Sequence, residues 1–228
     1  ILAWLELKAK QDYGSNFHFI EEDIEIITKL IAYFLKDEVT ARQFGLDLTK
    51  GILLSGPVGC GKTTLMSLMR HLAQPNYKFI MKTCRDISFE FIKEGYEIIH
   101  RYSRGSYSQS EYKNYCFDDL GVESNLKYYG NECNVMAEII LSRYDLFISR
   151  KVITHITTNL SASEIETIPI PSSFISSASW LSSINGVPCN SIKKRSRIGA
   201  MRPNKTRNPK LLKNRNRCFF LLGFNTNP

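Results

Sequence analysis

The chain has 228 residues, 43% of them hydrophobic and 11% aromatic, enough for one sizeable core and far from a disordered composition. No stretch approaches the length of a membrane span, and residues 1–8 are too few and too charged for the core of a secretory signal; a cytoplasmic protein with no membrane partner is expected. The formal charge of +8 is unevenly spread, because residues 167–228 carry eleven Lys or Arg and no Asp or Glu while residues 1–166 net −3.

Residues 21–36 place apolar side chains at 24, 27, 30, 31, 34 and 35. That is helical spacing, with acids in the first turn and Lys36 late, as the helix dipole prefers. Residues 47–51 read as a turn, and Ile52-Leu53-Leu54-Ser55 as a short buried parallel strand. A glycine-rich loop follows, then a helix over 63–72. The pattern next predicts a strand over 77–83, one helix over 86–102 and a polar loop over 103–110. Tyr115-Cys116-Phe117 reads as a third strand that ends in Asp118-Asp119. Residues 135–148 have helical period. The β-branched run 151–157 predicts a fourth strand ending at Thr158-Asn159, after which Ser161 or Ser163 would cap a further helix.

Strands alternating with helices predict an α/β fold with a parallel sheet covered on both faces. Past Pro169 the periodicity dissolves into Ser/Pro-rich and then basic, Asn-rich sequence. The expected organisation is an N-terminal extension over 1–20, a core over 21–168 and an irregular basic tail over 169–228. The six cysteines form no CxxC pair and the four histidines fall in no ligand spacing, so buried thiols are expected rather than disulfides or zinc.

The chemistry is concentrated in Gly56-Pro57-Val58-Gly59-Cys60-Gly61-Lys62-Thr63-Thr64, which matches GxxxxGK[ST] between a strand and a helix. Glycines let such a loop curl so that its N–H groups face phosphate oxygens, and the following helix presents its positive end to them. The spacing predicts a nucleoside triphosphate site for ATP with Mg²⁺, with Lys62 reaching the β- and γ-phosphates and the Thr63 hydroxyl on the metal. Asp118 and Asp119 stand at the C-terminal end of a strand, where ligands bind in open α/β sheets. Asp118 is the second expected Mg²⁺ ligand, and Asp119 would orient or deprotonate the attacking water. Taken alone, the pair also reads as an Asp-rich turn. Asn159 would bond the γ-phosphate or position the water, although it also reads as a turn or cap residue.

Together, Gly56–Thr64, Asp118-Asp119-Leu120-Gly121 and Thr158-Asn159 resemble the AAA+ ATPases of the DnaC helicase-loader and IstB transposition-helper type, over about residues 20 to 166. The resemblance implies a parallel-sheet P-loop NTPase, an AAA+-like three-layer sandwich, with Gly56–Thr64 as Walker A, Asp118 and Asp119 as Walker B and Asn159 as sensor 1. It further implies ATP hydrolysis, DNA as a partner, a partner helicase or transposase, and homo-oligomeric rings or spirals. The role implied is in DNA replication or mobile-element transactions.

The resemblance also implies an arginine-finger segment of the form Tyr-Gly-x-Arg-x-x-Ser-Arg soon after Glu166, but there the chain runs into Pro169-Ile170-Pro171. Arg195-Ser196-Arg197 with Met201 is a faint, late echo of it. Three readings stay open for residues 167–228: a nucleic-acid-binding tail, a diverged lid with an insertion, and an out-of-frame translation. A binding module with little hydrolysis, tethered to nucleic acid by that tail, is the alternative to an active ATPase. A nucleoside kinase is disfavoured by the paired aspartates. The loop over 103–110, with Arg101, Tyr102, Arg104 and Tyr107 nearby, is a candidate single-strand contact or a plain solvated loop.

Overall fold

A computed structural model describes residues 1–103, 112–121, 126–128, 131–161, 164 and 181–183. Helix α1 (Leu2–Tyr13) buries Leu5 and Ala9, and a 3-10 turn at Glu21–Asp23 leads into α2 (Ile24–Leu35). Lys36 ends α2 in the left-handed conformation at φ 59. The short α3 (Glu38–Gln43) is capped by the Asp37 carboxylate, which accepts from the Val39 and Thr40 amides at 3.1 and 3.2 Å. Strand β1 (Gly51–Ser55) then enters the glycine-rich loop and α4 (Lys62–Leu72).

Strand β2 (Phe79–Thr83) passes directly into α5 (Cys84–Glu94), with the Thr83 hydroxyl accepting from the Asp86 amide at 3.0 Å. The one helix expected over 86–102 is two. Gly95 takes φ 66, which a side chain resists, and a second helix, α6 (Glu97–Ser103), starts anew. The apolar spacing continues across the break, and for that reason periodicity alone does not reveal it.

Strand β3 (Asn114–Leu120) is followed by a small antiparallel hairpin of β4 (Leu126–Tyr128) and β5 (Asn131–Cys133). Helix α7 (Val135–Arg150), capped by Asn134 on the Ala137 amide, leads to β6 (Thr154–Thr158). Inside the stretch expected to be irregular, Leu181–Ser183 forms β7 and pairs parallel with β1. The rest of the basic tail, its Arg195, Arg197 and Met201, and Arg104 and Tyr107 lie outside the described residues.

The sheet is wholly parallel, in the order β2-β3-β6-β1-β7. Side chains alternate across it. Leu53, Tyr115, Phe117 and Ile156 face a core built with α5, α6 and α7. Ile52, Leu54 and Cys116 face a second core built with α1, α2 and α4. This is the three-layer α/β arrangement, and it brings the C-terminal ends of β1, β3 and β6 to one rim. Among the described residues no helix is long and apolar enough to cross a membrane.

The candidate single-strand contact is altered by two of its members. Tyr102 is buried and donates to Glu90 at 2.7 Å, and the Arg101 guanidinium is paired with Glu94.

Candidate nucleotide site at the C-terminal rim of the sheet

The loop between β1 and α4 needs its glycines where the backbone turns left-handed, at Gly59 (φ 80) and Gly61 (φ 94). It is tied to the sheet by the Gly56 amide, which donates to the Thr158 carbonyl at 3.2 Å. Pro57, Val58 and Gly59 form the exposed crest, whereas Gly56 and Cys60 are buried beneath it. The amides of Lys62, Thr63 and Thr64 open α4, where no carbonyl within the helix can accept from them; the first intrahelical bond runs from Leu65 to Gly61 at 2.8 Å.

Lys62 reaches back under this loop. Its ammonium donates to the Gly56 and Pro57 carbonyls at 2.9 and 3.0 Å and to Asn159 Oδ1 at 2.7 Å. On the neighbouring strand, the Asp118 carboxylate is 3% exposed and accepts from the Thr63 hydroxyl, with its oxygens 2.9 and 3.1 Å away. Behind it, burial pushes the Cys116 thiol well above its ordinary pKa, and the Asp118 charge adds to that rise.

Asp119 is held differently. The register between β3 and β6 shifts between Phe117 and Leu120, and Asp119 adopts φ 58, unusual for a residue with a side chain. Strict alternation would send consecutive residues to opposite faces of the sheet. With the bulge, Asn159 Nδ2 lies 3.4 Å from Asp119 Oδ1. Asn159 thus spans Lys62 and Asp119, oxygen toward the cation and amide nitrogen toward the carboxylate.

Gly121 closes the strand at φ 92, and a Cβ there would lie 2.3 Å from Leu160 Cδ1, so Leu160 occupies the space that any side chain would need. The Thr158 hydroxyl donates to the Leu120 carbonyl at 2.7 Å, joining the same two strand ends. Further along, the Glu164 carboxylate accepts from the Ser161 amide at 2.7 Å and the Ser161 hydroxyl accepts from the Glu164 amide at 3.3 Å, a reciprocal pair of bonds.

The sequence-predicted residues Lys62, Thr63, Asp118, Asp119 and Asn159 therefore converge, with the loop Gly56–Gly61 above them. Thr64 is half-buried in the first turn of α4, and Val58 is 83% exposed on the crest. Sequence reasoning passed over Thr157 and Leu160. Their signal is positional, since both flank Asn159 at a strand end already marked by Asp118.

The set suits a metal-bound triphosphate on its own chemistry. A hydroxyl and a carboxylate meet within 3.1 Å, which is the oxygen pair a hard divalent cation takes. A buried ammonium and a helix N-terminus lie beside them, which together favour phosphate.

No known protein-family profile matches the chain. Proteasome-activating nucleotidases align with part of it: that of Pyrococcus abyssi is 30% identical over 81 residues, covering 36% of this chain and 20% of the relative. That of Sulfurisphaera tokodaii is 32% identical over 89 residues, covering 37% and 22%. The chain thus spans about a fifth of the length of the curated relatives it matches. Among solved structures it is similar to a proposed primosome component from Streptococcus pyogenes serotype M3, at TM-score 0.50 and 15% identity, covering 79% of this chain and 90% of the other. At that identity the likeness is one of fold. Topology, rim geometry and this likeness together give the chain a parallel-sheet P-loop NTPase fold of AAA+-like, three-layer architecture.

Proposed function

We propose that this chain is an ATP-binding, Mg²⁺-dependent ATPase of the AAA+ type that works in DNA replication or mobile-element transactions, loading or remodelling a partner helicase or transposase on DNA. The observation that supports it is the convergence of Lys62, Thr63, Asp118, Asp119 and Asn159 at one rim of the sheet. In this reading the amides of Val58, Gly59 and Gly61, those that open α4 and the Lys62 ammonium hold the phosphates, and Thr63 and Asp118 hold the metal. When bound, the metal offsets negative charge developing on the transferred phosphoryl group. Asp119 orients or deprotonates the attacking water, and Asn159 keeps that carboxylate and Lys62 in fixed relation. Stabilisation of the phosphoryl group by an arginine from a neighbouring copy implies a homo-oligomer.

The test is steady-state ATP hydrolysis with and without single-stranded DNA, beside binding of a fluorescent ATP analogue. The expected outcome is DNA-stimulated turnover in the intact chain. Asp119→Asn is expected to bind the analogue normally while turnover falls by about 10²–10⁴-fold, the usual range for losing a general base. Binding without turnover in the intact chain would instead favour a nucleotide-dependent binding module. Phosphoryl transfer to a nucleoside would favour a kinase.

A further inference from the structure

Thr157 lies one residue before the end of β6 and is wholly buried. Its hydroxyl donates to Asp118 Oδ1 at 2.6 Å and accepts from the Asp119 amide at 3.0 Å. A hydroxyl has one proton to give, so both of its roles are engaged, and both on the paired aspartates. The amide it receives belongs to the left-handed residue in the bulge, and no regular ladder partner stands opposite that residue where the register shifts. The carboxylate oxygen it supplies is the one 3.1 Å from Thr63, while Oδ2, at 2.9 Å, is left as the oxygen nearer Thr63.

We propose that Thr157 is the positioning residue of this site: its hydroxyl fixes the Asp118 carboxylate for the metal and, through the Asp119 amide, locks the bulge that directs the second carboxylate toward Asn159. The proposal rests on the Mg²⁺-nucleotide reading above. Thr157 would touch neither nucleotide nor metal, so its loss acts through Asp118 and Asp119. Valine has the same shape but would leave a buried amide unpaired and the carboxylate short of one donor. Serine keeps the hydroxyl.

The experiment titrates MgCl₂ against the full chain with a fluorescent ATP analogue, and measures analogue affinity in EDTA in parallel. Wild type and Thr157→Ser are expected to share one Mg²⁺ midpoint. For Thr157→Val the midpoint is expected to rise by about tenfold, the scale of one hydrogen bond to a charged group, with affinity in EDTA unchanged. A purely structural role would lower both affinities together, and that result overturns the proposal. So does a Thr157→Val midpoint equal to wild type, which leaves the nucleotide site itself intact. Should Thr157→Val fail to fold by circular dichroism, Thr157→Cys replaces it; the thiol is a weak donor, and a midpoint equal to that of Thr157→Ser overturns the proposal. If wild type shows no Mg²⁺-dependent binding, or Lys62→Ala binds as well as wild type, the nucleotide reading fails and the proposal falls with it.

Discussion

Lys62 and Arg143 are both buried cations, 5% and 1% exposed, at opposite ends of the same parallel sheet. Lys62 stands at the C-terminal rim and is held by two carbonyls of its own loop and one side-chain amide. Arg143 lies beneath the N-terminal ends of β3 and β6. It donates to the Tyr102, Lys113 and Ile153 carbonyls at 3.0, 2.9 and 3.2 Å and to the Thr154 hydroxyl at 2.6 Å. The Tyr115 and Phe117 rings lie 5.0 and 5.8 Å from its guanidinium carbon. Burial lowers its pKa only to about 10, so it stays charged at neutral pH. The planar fork suits several fixed acceptors at once, whereas an ammonium is a point charge with rotatable donors. The cation at the ligand rim is thus held in part by the very loop that would carry the phosphates. The one at the other end ties α6 to the starts of β3 and β6.

If that contrast is correct, Arg143→Met should have the largest effect of all on stability. The buried Tyr102 and Ile153 carbonyls and the buried Thr154 hydroxyl would lose their donor, each costing about 1–3 kcal/mol, so urea unfolding should show a loss of about 4 kcal/mol or more. Analogue affinity per folded molecule should not change. An Arg143→Lys variant that recovered full stability would show that charge matters and the fork does not. Lys62→Ala should do the reverse: analogue affinity falls by about a hundredfold or more, as for loss of one buried charged partner, while the urea midpoint barely moves.

A pH-dependent effect belongs to a neighbour of the fold-holding end. His155 Nδ1 accepts from the Ile52 amide at 3.1 Å, among the Tyr33, Phe34 and Phe79 rings. Burial, with the charges of Lys36 and Arg143 adding, pushes its pKa down from 6.5 to about 3. Between those values the unfolded chain binds a proton that the folded chain does not. Stability contributed by the neutral ring is therefore whole above about pH 6.5 and is lost toward pH 3, by about 1.4 kcal/mol per pH unit. In His155→Gln, unfolding midpoints measured from pH 6 to pH 4 should slope less steeply by about one proton.

Much of this site was legible before the structure, because its devices are chain-local. Glycine spacing marks the loop, and short apolar runs ending in Asp118-Asp119 and Thr158-Asn159 mark the strand ends. Arg143 was not legible: within a helical period a lone cation reads as a solvated position, and nothing local shows that Tyr102 and Lys113 close over it. Thr157 was hidden for a related reason, since period 2 assigns it a face but not a partner on another strand. Helix α1 escaped because its buried Leu5 and Ala9 alternate with exposed Trp4 and Leu7, which blurs the stripe. Three residues amid a serine-rich stretch carry too little pattern to announce β7.

That short strand has a consequence for anyone shortening the chain. Leu181–Ser183 lies along the flank of β1 that β6 does not cover, pairing with Gly51–Leu53. A chain cut after Glu166 would keep every residue of the proposed nucleotide site yet leave the flank of Gly51-Ile52-Leu53 that β7 covers open at an apolar edge. Such an edge is a template for strands of other molecules. Material shortened in this way should associate as its concentration rises, so its nucleotide affinity has to be measured dilute, before self-pairing of β1 competes with the fold that carries the loop.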